Sequence, residues 1–193
     1  MRNFILSGLL LLISTNLKSQ EKATDMFSVN AGFWGAGINY EKRITNEFTV
    51  IGKVEYEALY YDSSHVWAFG NLHTNLTFGL EGRYYYNFDK RIKKDKKTLN
   101  NSANYVAVEI IFEPIWTKDL NDNEGISLKS KSLGIIPKYG FKRSISNHFY
   151  YEFNAGANIR NYTEEYKYYS DPEISTSKWV ISPTVEFRIG YKF

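Results

Sequence analysis

The chain has 193 residues and a formal net charge of only +3, and 17% of it is aromatic, with 16 Tyr, 13 Phe and 4 Pro. That length suits one domain and that composition a β-rich one, while so small a charge gives no ground for a nucleic-acid surface. The absence of Cys removes disulfides, thiolate metal sites, a Cys nucleophile and an acylated lipoprotein Cys together.

Met1-Arg2-Asn3 forms a short basic start, Phe4 to Ile13 an apolar run, and Ser14 to Gln20 a polar exit. This is the pattern of a secretory signal peptide, since the run falls well short of the roughly 20 residues a membrane helix needs. Cleavage near Ser19 divides the chain into a signal peptide, 1–19, and a domain, 20–193. No other stretch is apolar enough to span as a helix, so any membrane reading rests on strands.

Residues 26–44 alternate throughout but are too long for one crossing of a band about 25 Å tall. A tight turn at Trp34-Gly35 is expected to divide them into strands Phe27 to Phe33 and Ala36 to Ile44, followed by a short turn at Thr45-Asn46-Glu47. The third strand, Phe48 to Tyr60, sends Phe48, Val50, Val54 and Tyr56 to one side and Thr49, Lys53, Glu55 and Glu57 to the other. The fourth, His73 to Phe88, opposes Leu76, Phe78, Leu80, Tyr84, Tyr86 and Phe88 to Glu81, Arg83 and Asn87. Asp89 to Ala103 is polar and basic and reads as structureless.

The fifth strand, Asn104 to Trp116, carries Val106, Val108, Ile110 and Phe112 opposite Glu109 and Glu113, with Tyr105 and Ile111 interrupting the polar face. The sixth, Lys131 to Arg143, places Leu133, Ile135, Tyr139 and Phe141 opposite Lys138 and Lys142. The seventh, His148 to Arg160, sets Phe149, Tyr151, Phe153 and Ile159 against Glu152, Asn154, Asn158 and Arg160. The last, Trp179 to Phe193, is apolar at Trp179, Ile181, Pro183, Val185, Phe187, Ile189, Tyr191 and Phe193, with Glu186, Arg188 and Lys192 between. Successive side chains of a strand face opposite ways, so each strand divides an apolar medium from a polar one.

Lipid outside and a polar barrel interior satisfy that division, and eight strands bring both chain ends to the periplasmic side. Trp34, Trp67, Trp116 and Trp179 all fall at the other rim, where amphipathic rings favour the interface. A slip of one residue would exchange the faces of a strand. Lys53, Arg83, Lys138 or Arg188 would then face lipid, at roughly 2 to 4 kcal/mol for each at mid-bilayer.

Tyr40-Glu41-Lys42-Arg43 before a tight turn, Gly82-Arg83-Tyr84-Tyr85-Tyr86 before the basic segment and Asn104-Tyr105, and the closing Gly190-Tyr191-Lys192-Phe193 give the chain a resemblance to a known family. It resembles the small outer-membrane β-barrel proteins of diderm bacteria, over nearly all of the mature sequence. The resemblance implies an all-β, eight-stranded antiparallel up-and-down transmembrane β-barrel in the outer membrane. It also implies that Phe193, with Tyr191, Ile189, Phe187 and Val185 at alternate positions before it, is the signal read by the barrel-assembly machinery. It implies place and architecture more than activity.

The inward faces collect Glu41, Glu55, Glu57, Glu81, Glu109, Glu113, Glu152 and Glu186 against Arg43, Lys53, Arg83, Lys138, Lys142, Arg160, Arg188 and Lys192. Eight of each sign suit mutual pairing inside a barrel just wide enough for its side chains. The expected product is a charge-filled, closed lumen, and a monomer of structural or binding character. A small pore or transport component is the alternative. A weaker one is a lipid A-modifying enzyme using Asp62-Ser63-Ser64-His65, which supplies the residue types of an activated Ser but no evidence of their orientation. No cofactor is expected, and no metal, because His73 and His148 have no second ligand at suitable spacing. The Lys-rich segment is a candidate contact for anionic lipid headgroups or a periplasmic partner, and the Tyr-rich stretch 161–171 for an extracellular one: carbohydrate, another cell or a neighbouring membrane protein.

Overall fold

A computed structural model describes residues 23–33, 35–60, 72–121, 126–167 and 174–193. The leader 1–19, Trp34, Trp67, the Asp62-Ser63-Ser64-His65 group and the end of the Tyr-rich stretch lie outside them. Among the described residues eight strands occur: β1 (Met26–Gly32), β2 (Gly35–Arg43), β3 (Phe48–Tyr60), β4 (Leu72–Tyr84), β5 (Asn104–Asn121), β6 (Ile126–Ser144), β7 (Phe149–Lys167) and β8 (Ile174–Lys192). Each pairs antiparallel with the next and β8 returns to β1, giving the closed up-and-down barrel that the alternation foretells. The first turn comes one residue earlier than expected, because Gly32 pairs with Gly35.

The wall is uneven. β1 has 7 residues and β2 has 9, whereas β6, β7 and β8 each have 19. β1 pairs with β8 only between Ser28↔Lys192 and Gly32↔Arg188, and β4 with β5 only between Phe78↔Phe112 and Tyr84↔Val106. β5 to β8 therefore continue past the closed part as a four-stranded sheet. Strands of this length reach roughly 60 Å, or about 45 Å along the axis at a 45° tilt, well beyond an apolar band about 25 Å tall. The extension takes in much of 117–130 and 161–176, which read as loops in the sequence. Thr163, Glu164 and Glu165 there pair with Ser175, Thr176 and Ser177, so both faces are polar and the alternation that marks a strand disappears while its backbone pairing persists.

Two prolines interrupt the ladders locally. The β5–β6 register shifts by one between Glu113 and Trp116, around Pro114, as a bulge does. Between β6 and β7 the register holds, but Ile136 and Pro137 drop out of the pairing; a proline has no N–H to give to a ladder.

One end of the barrel is closed by matched turns. In Ile44-Thr45-Asn46-Glu47-Phe48 the Thr45 Oγ1 accepts from the Phe48 N–H at 3.0 Å, and in Ile145-Ser146-Asn147-His148-Phe149 the Ser146 Oγ accepts from the Phe149 N–H at 3.1 Å. Each turn is closed again by the Ile N–H on the Phe carbonyl, at 2.9 and 2.8 Å. A hydroxyl that substitutes for a backbone acceptor is why these residue types start tight turns.

The basic segment is not structureless. It folds into a helix α1 (Phe88–Ile92) and a 3-10 turn, Leu99–Asn101, that cover the same end. Asn100 and Asn101 take positive φ values of 54° and 56°, a conformation that asparagine tolerates better than most residues. Both are buried. Asn101 holds the segment before β1 in a two-point latch: its Oδ1 accepts from the Thr24 N–H at 2.8 Å and its Nδ2 donates to the Thr24 carbonyl at 2.9 Å. Asn100 donates to the Ser146 carbonyl at 3.1 Å, and the Lys142 N–H donates to the Ala103 carbonyl at 2.9 Å.

β4 accordingly stops at Tyr84, and Phe88 is not an outward rim residue. It is 1% exposed and packs on Tyr85 with ring centroids 4.8 Å apart. Ala23, Tyr85, Phe88, Ala103, Tyr105 and Ala107 form an apolar plug beneath the cap. Close approach inside the barrel uses glycine. A Cβ on Gly190 would stand 2.1 Å from the Tyr150 ring, and one on Gly140 would stand 2.6 Å from Tyr105.

Replacing Asn101 by Ala is expected to lower the unfolding free energy in detergent by about 1–3 kcal/mol, because the two part-buried hydrogen bonds between its buried side chain and Thr24 are lost. The exposed Lys93→Ala should stay within about 0.5 kcal/mol. Denaturant titration followed by intrinsic fluorescence measures both.

Candidate functional site: the charge-packed interior

Strand pleat sends Glu41 of β2, Lys53 of β3, Glu81 and Arg83 of β4, Glu109 of β5, Lys138 and Lys142 of β6 and Glu152 of β7 into the barrel, where none is more than 8% exposed. Ion pairs join all eight. Lys142 Nζ lies 2.8 Å from Glu41 and 3.8 Å from Glu152; Arg83 lies 2.9 Å from Glu152 and 2.6 Å from Glu81. Glu81 in turn meets Lys53 at 2.5 Å and Lys138 at 3.3 Å, and Glu109 bridges the same two lysines. Four carboxylates thus neutralise four cations. Arg83 grips Glu152 with two parallel N–H donors, at 3.1 and 2.9 Å, the forked geometry that makes guanidinium–carboxylate pairs strong.

A second group sits where β8 joins β1: the Arg188 guanidinium donates to Glu55 and to Glu186, and Asn154 donates to Glu186 at 2.8 Å. In a third, Arg160 lies 3.5 Å from Glu113, which also accepts from the Ser132 hydroxyl at 2.9 Å. Arg43 is outside this interior. It shares the inward parity of Glu41 but lies at the rim, exposed, with its backbone N–H on Asp25. Lys192 is at the same rim, half-buried. Neither forms an ion pair among the described residues. The Glu57 and His73 side chains fall outside those described.

Neutral partners complete the carboxylates. Glu41 accepts from the Tyr85 hydroxyl at 2.6 Å and the Thr49 hydroxyl at 2.9 Å, and Glu152 accepts from the Tyr105 hydroxyl at 2.7 Å. The Tyr105 ring lies 3.8 Å beneath the Arg83 guanidinium, a cation–π contact. In the sequence Tyr105 only interrupts an alternation. Its aromatic body and polar tip are what let it sit among charges.

The outer wall is the reverse of the interior. Val29, Ile38, Tyr56, Leu80, Val108, Ile135, Phe153 and Val185, one from each strand in turn, are 36–55% exposed. Phe187, Ile189, Tyr191 and Phe193 continue this face on β8 and past its end, and Phe193 packs on Phe27 at 5.5 Å and on Tyr191 at 5.2 Å. His148 stacks on Tyr191 at 5.5 Å and its Nδ1 lies 3.1 Å from the Lys192 carbonyl, so it is a rim residue. Among the described residues no three His, Cys, Asp or Glu are placed to share a metal ion.

No family model matches the chain, and no curated protein does. Among solved structures, a major outer membrane protein from Thermus thermophilus is similar at 14% identity and a TM-score of 0.45, over 89% of this chain and 100% of that one. A likeness of that degree carries no inference about function.

Burying a charge costs several kcal/mol unless it is paired, and removing one partner of a buried pair typically costs 3–5 kcal/mol. Glu81→Gln, which removes one counter-charge from Arg83, Lys53 and Lys138 at once, is expected to lose about that much stability. Asp25→Asn breaks a pair with Lys42 whose partners are 42% and 55% exposed and should cost under about 1 kcal/mol. The two unfolding midpoints in one detergent test the contrast.

Proposed function

We propose that the mature chain is an integral outer-membrane β-barrel, monomeric, with a plugged lumen and a structural or binding role rather than a catalytic or conducting one. One observation carries the reading: the barrel is inverted, with Glu81 and Arg83 at 0 and 2% exposure and an apolar belt on the outside of all eight strands. Soluble proteins rarely expose a continuous apolar surface of that extent, whereas lipid solvates it. A soluble barrel holding an apolar ligand would need its oily faces inward. The signal-type stretch 1–19 and the alternating apolar Val185, Phe187, Ile189, Tyr191 and Phe193 support export and insertion by the barrel-assembly machinery.

The plug is supported by the unbroken run of ion pairs from Glu41 to Lys138 and by the cap over one end. A pore would need room between these groups for hydrated ions, and an eight-stranded barrel is filled by its side chains. The protein in this reading presents its cap to one side of the membrane and its four-stranded extension to the other. Binding belongs to those two surfaces, since the interior is occupied.

The purified mature chain added to planar bilayers is expected to give no unitary current steps, and cell membranes washed in alkaline carbonate should retain it. Regular conductance steps would remove the plug. Release into the carbonate supernatant would remove the membrane reading.

A further inference from the structure

A half-open concavity of about 480 Å³ lies between the cap and the barrel wall, lined among others by Tyr86, Lys90, Arg91, Lys94, Lys96 and Arg143. Its volume is in the range of small-ligand sites. Among the described residues five basic side chains line it and no carboxylate does; Asp89 and Asp95, their neighbours in sequence, are not among the lining residues.

Both guanidiniums are held by neutral groups. Arg91 Nη2 donates to the Lys97 carbonyl at 2.7 Å, while its Nε is buried without a hydrogen-bond partner among the described residues. Arg143 donates to the Lys142 carbonyl at 2.7 Å and to Asn104 Oδ1 at 2.5 Å. Burial, and then the nearby Arg143 cation, pull the Arg91 pKa below its ordinary value. These cations are positioned and partly desolvated, and no carboxylate among the described residues neutralises them. That is the condition in which a phosphate is bound most strongly, through forked N–H donors.

Position selects the source of the phosphate. Asn104 Nδ2 donates to the Tyr86 hydroxyl at 3.2 Å, and Tyr86 and Tyr139 stack on the outer face with their hydroxyls 2.8 Å apart. The concavity therefore adjoins the outer wall where the apolar belt ends in amphipathic rings, which is the depth of lipid headgroups. We propose that it binds the headgroup phosphate of an anionic phospholipid, with Arg91 and Arg143 as the gripping pair and Lys94 and Lys96 closing over it. This rests on the membrane reading above, because only a spanning barrel brings a headgroup to that level.

The test is native mass spectrometry of the full mature chain in micelles, titrated with phosphatidylglycerol and, separately, phosphatidylcholine. Heat-shifted electrophoretic mobility reports the folded barrel independently. Wild type should retain phosphatidylglycerol preferentially. At about fivefold per basic side chain, Arg91→Gln with Arg143→Gln should weaken that retention about 25-fold and leave phosphatidylcholine unchanged. Lys94→Gln with Lys96→Gln, at exposed positions that need not disturb the cap, should weaken it comparably, and Arg91→Lys with Arg143→Lys, which keep the charge but lose the forked donors, should fall between wild type and the Arg-to-Gln pair. Equal phosphatidylglycerol retention by wild type and both Gln pairs would overturn the proposal. So would displacement of the lipid by millimolar inorganic phosphate, which would make this a free-phosphate site. A wild type that stays monomeric without detergent and shows no heat-shifted mobility would fail at the earlier step, the membrane reading itself.

Discussion

The structure depends on the pairing of desolvated charges. A carboxylate or ammonium moved into a low-dielectric interior loses several kcal/mol of hydration, and only a close, well-oriented counter-charge recovers it. Here the recovery is collective: Glu81 touches three cations and Lys53 and Lys138 each touch two carboxylates, so every member shares its partners with others. The barrel supplies the geometry. Glu81 on β4 stands opposite Glu109 on β5, a like-charge pair that is tolerable because Lys53 and Lys138 lie against both.

The same constraint explains the tyrosines and glycines. Ionised carboxylates have more acceptor sites than one cation fills, and the Tyr85 and Tyr105 hydroxyls take up the remainder on Glu41 and Glu152. A ring as large as Tyr105 or Tyr150 fits a narrow lumen only over a wall position without a side chain, and Gly140 and Gly190 provide those positions. Charge, ring and glycine form one packing solution. The cap finishes it by placing Phe88 and Tyr85 between the last ion pairs and water.

Most of this architecture is legible in the sequence wherever a strand separates two media. Val106, Val108 and Ile110 against Glu109, or Phe187 and Ile189 against Arg188, leave little freedom in face or register. Legibility fails in two places for opposite reasons. Beyond Arg160 and before Trp179 both faces are polar, so strand periodicity vanishes although pairing continues to Tyr166↔Ile174. Across Asp89 to Ala103 the lysines dominate the composition and hide Asn100 and Asn101, two buried residues that, with Phe88 just before the segment, fold it against the barrel. Asn100-Asn101 could have signalled a left-handed turn, but nothing local shows that Asn101 reaches Thr24. For the interior, the pleat tells which side chains face inward. Which carboxylate meets which cation depends on stagger between strands far apart in sequence, such as Glu41 and Lys142, and the rim position of Arg43 depends on where the wall ends.

The central claim is that this barrel is inverted, with lipid against its apolar face. The lack of Cys makes single-site nitroxide labelling direct, so Leu80→Cys on the outer face of β4 and Ile135→Cys on that of β6 can each carry a label in reconstituted vesicles. Collision with dissolved oxygen should exceed collision with a water-soluble nickel chelate at both sites, as it does for groups in the hydrocarbon. Ready access of the chelate to both labels, with no excess of oxygen, would contradict the account.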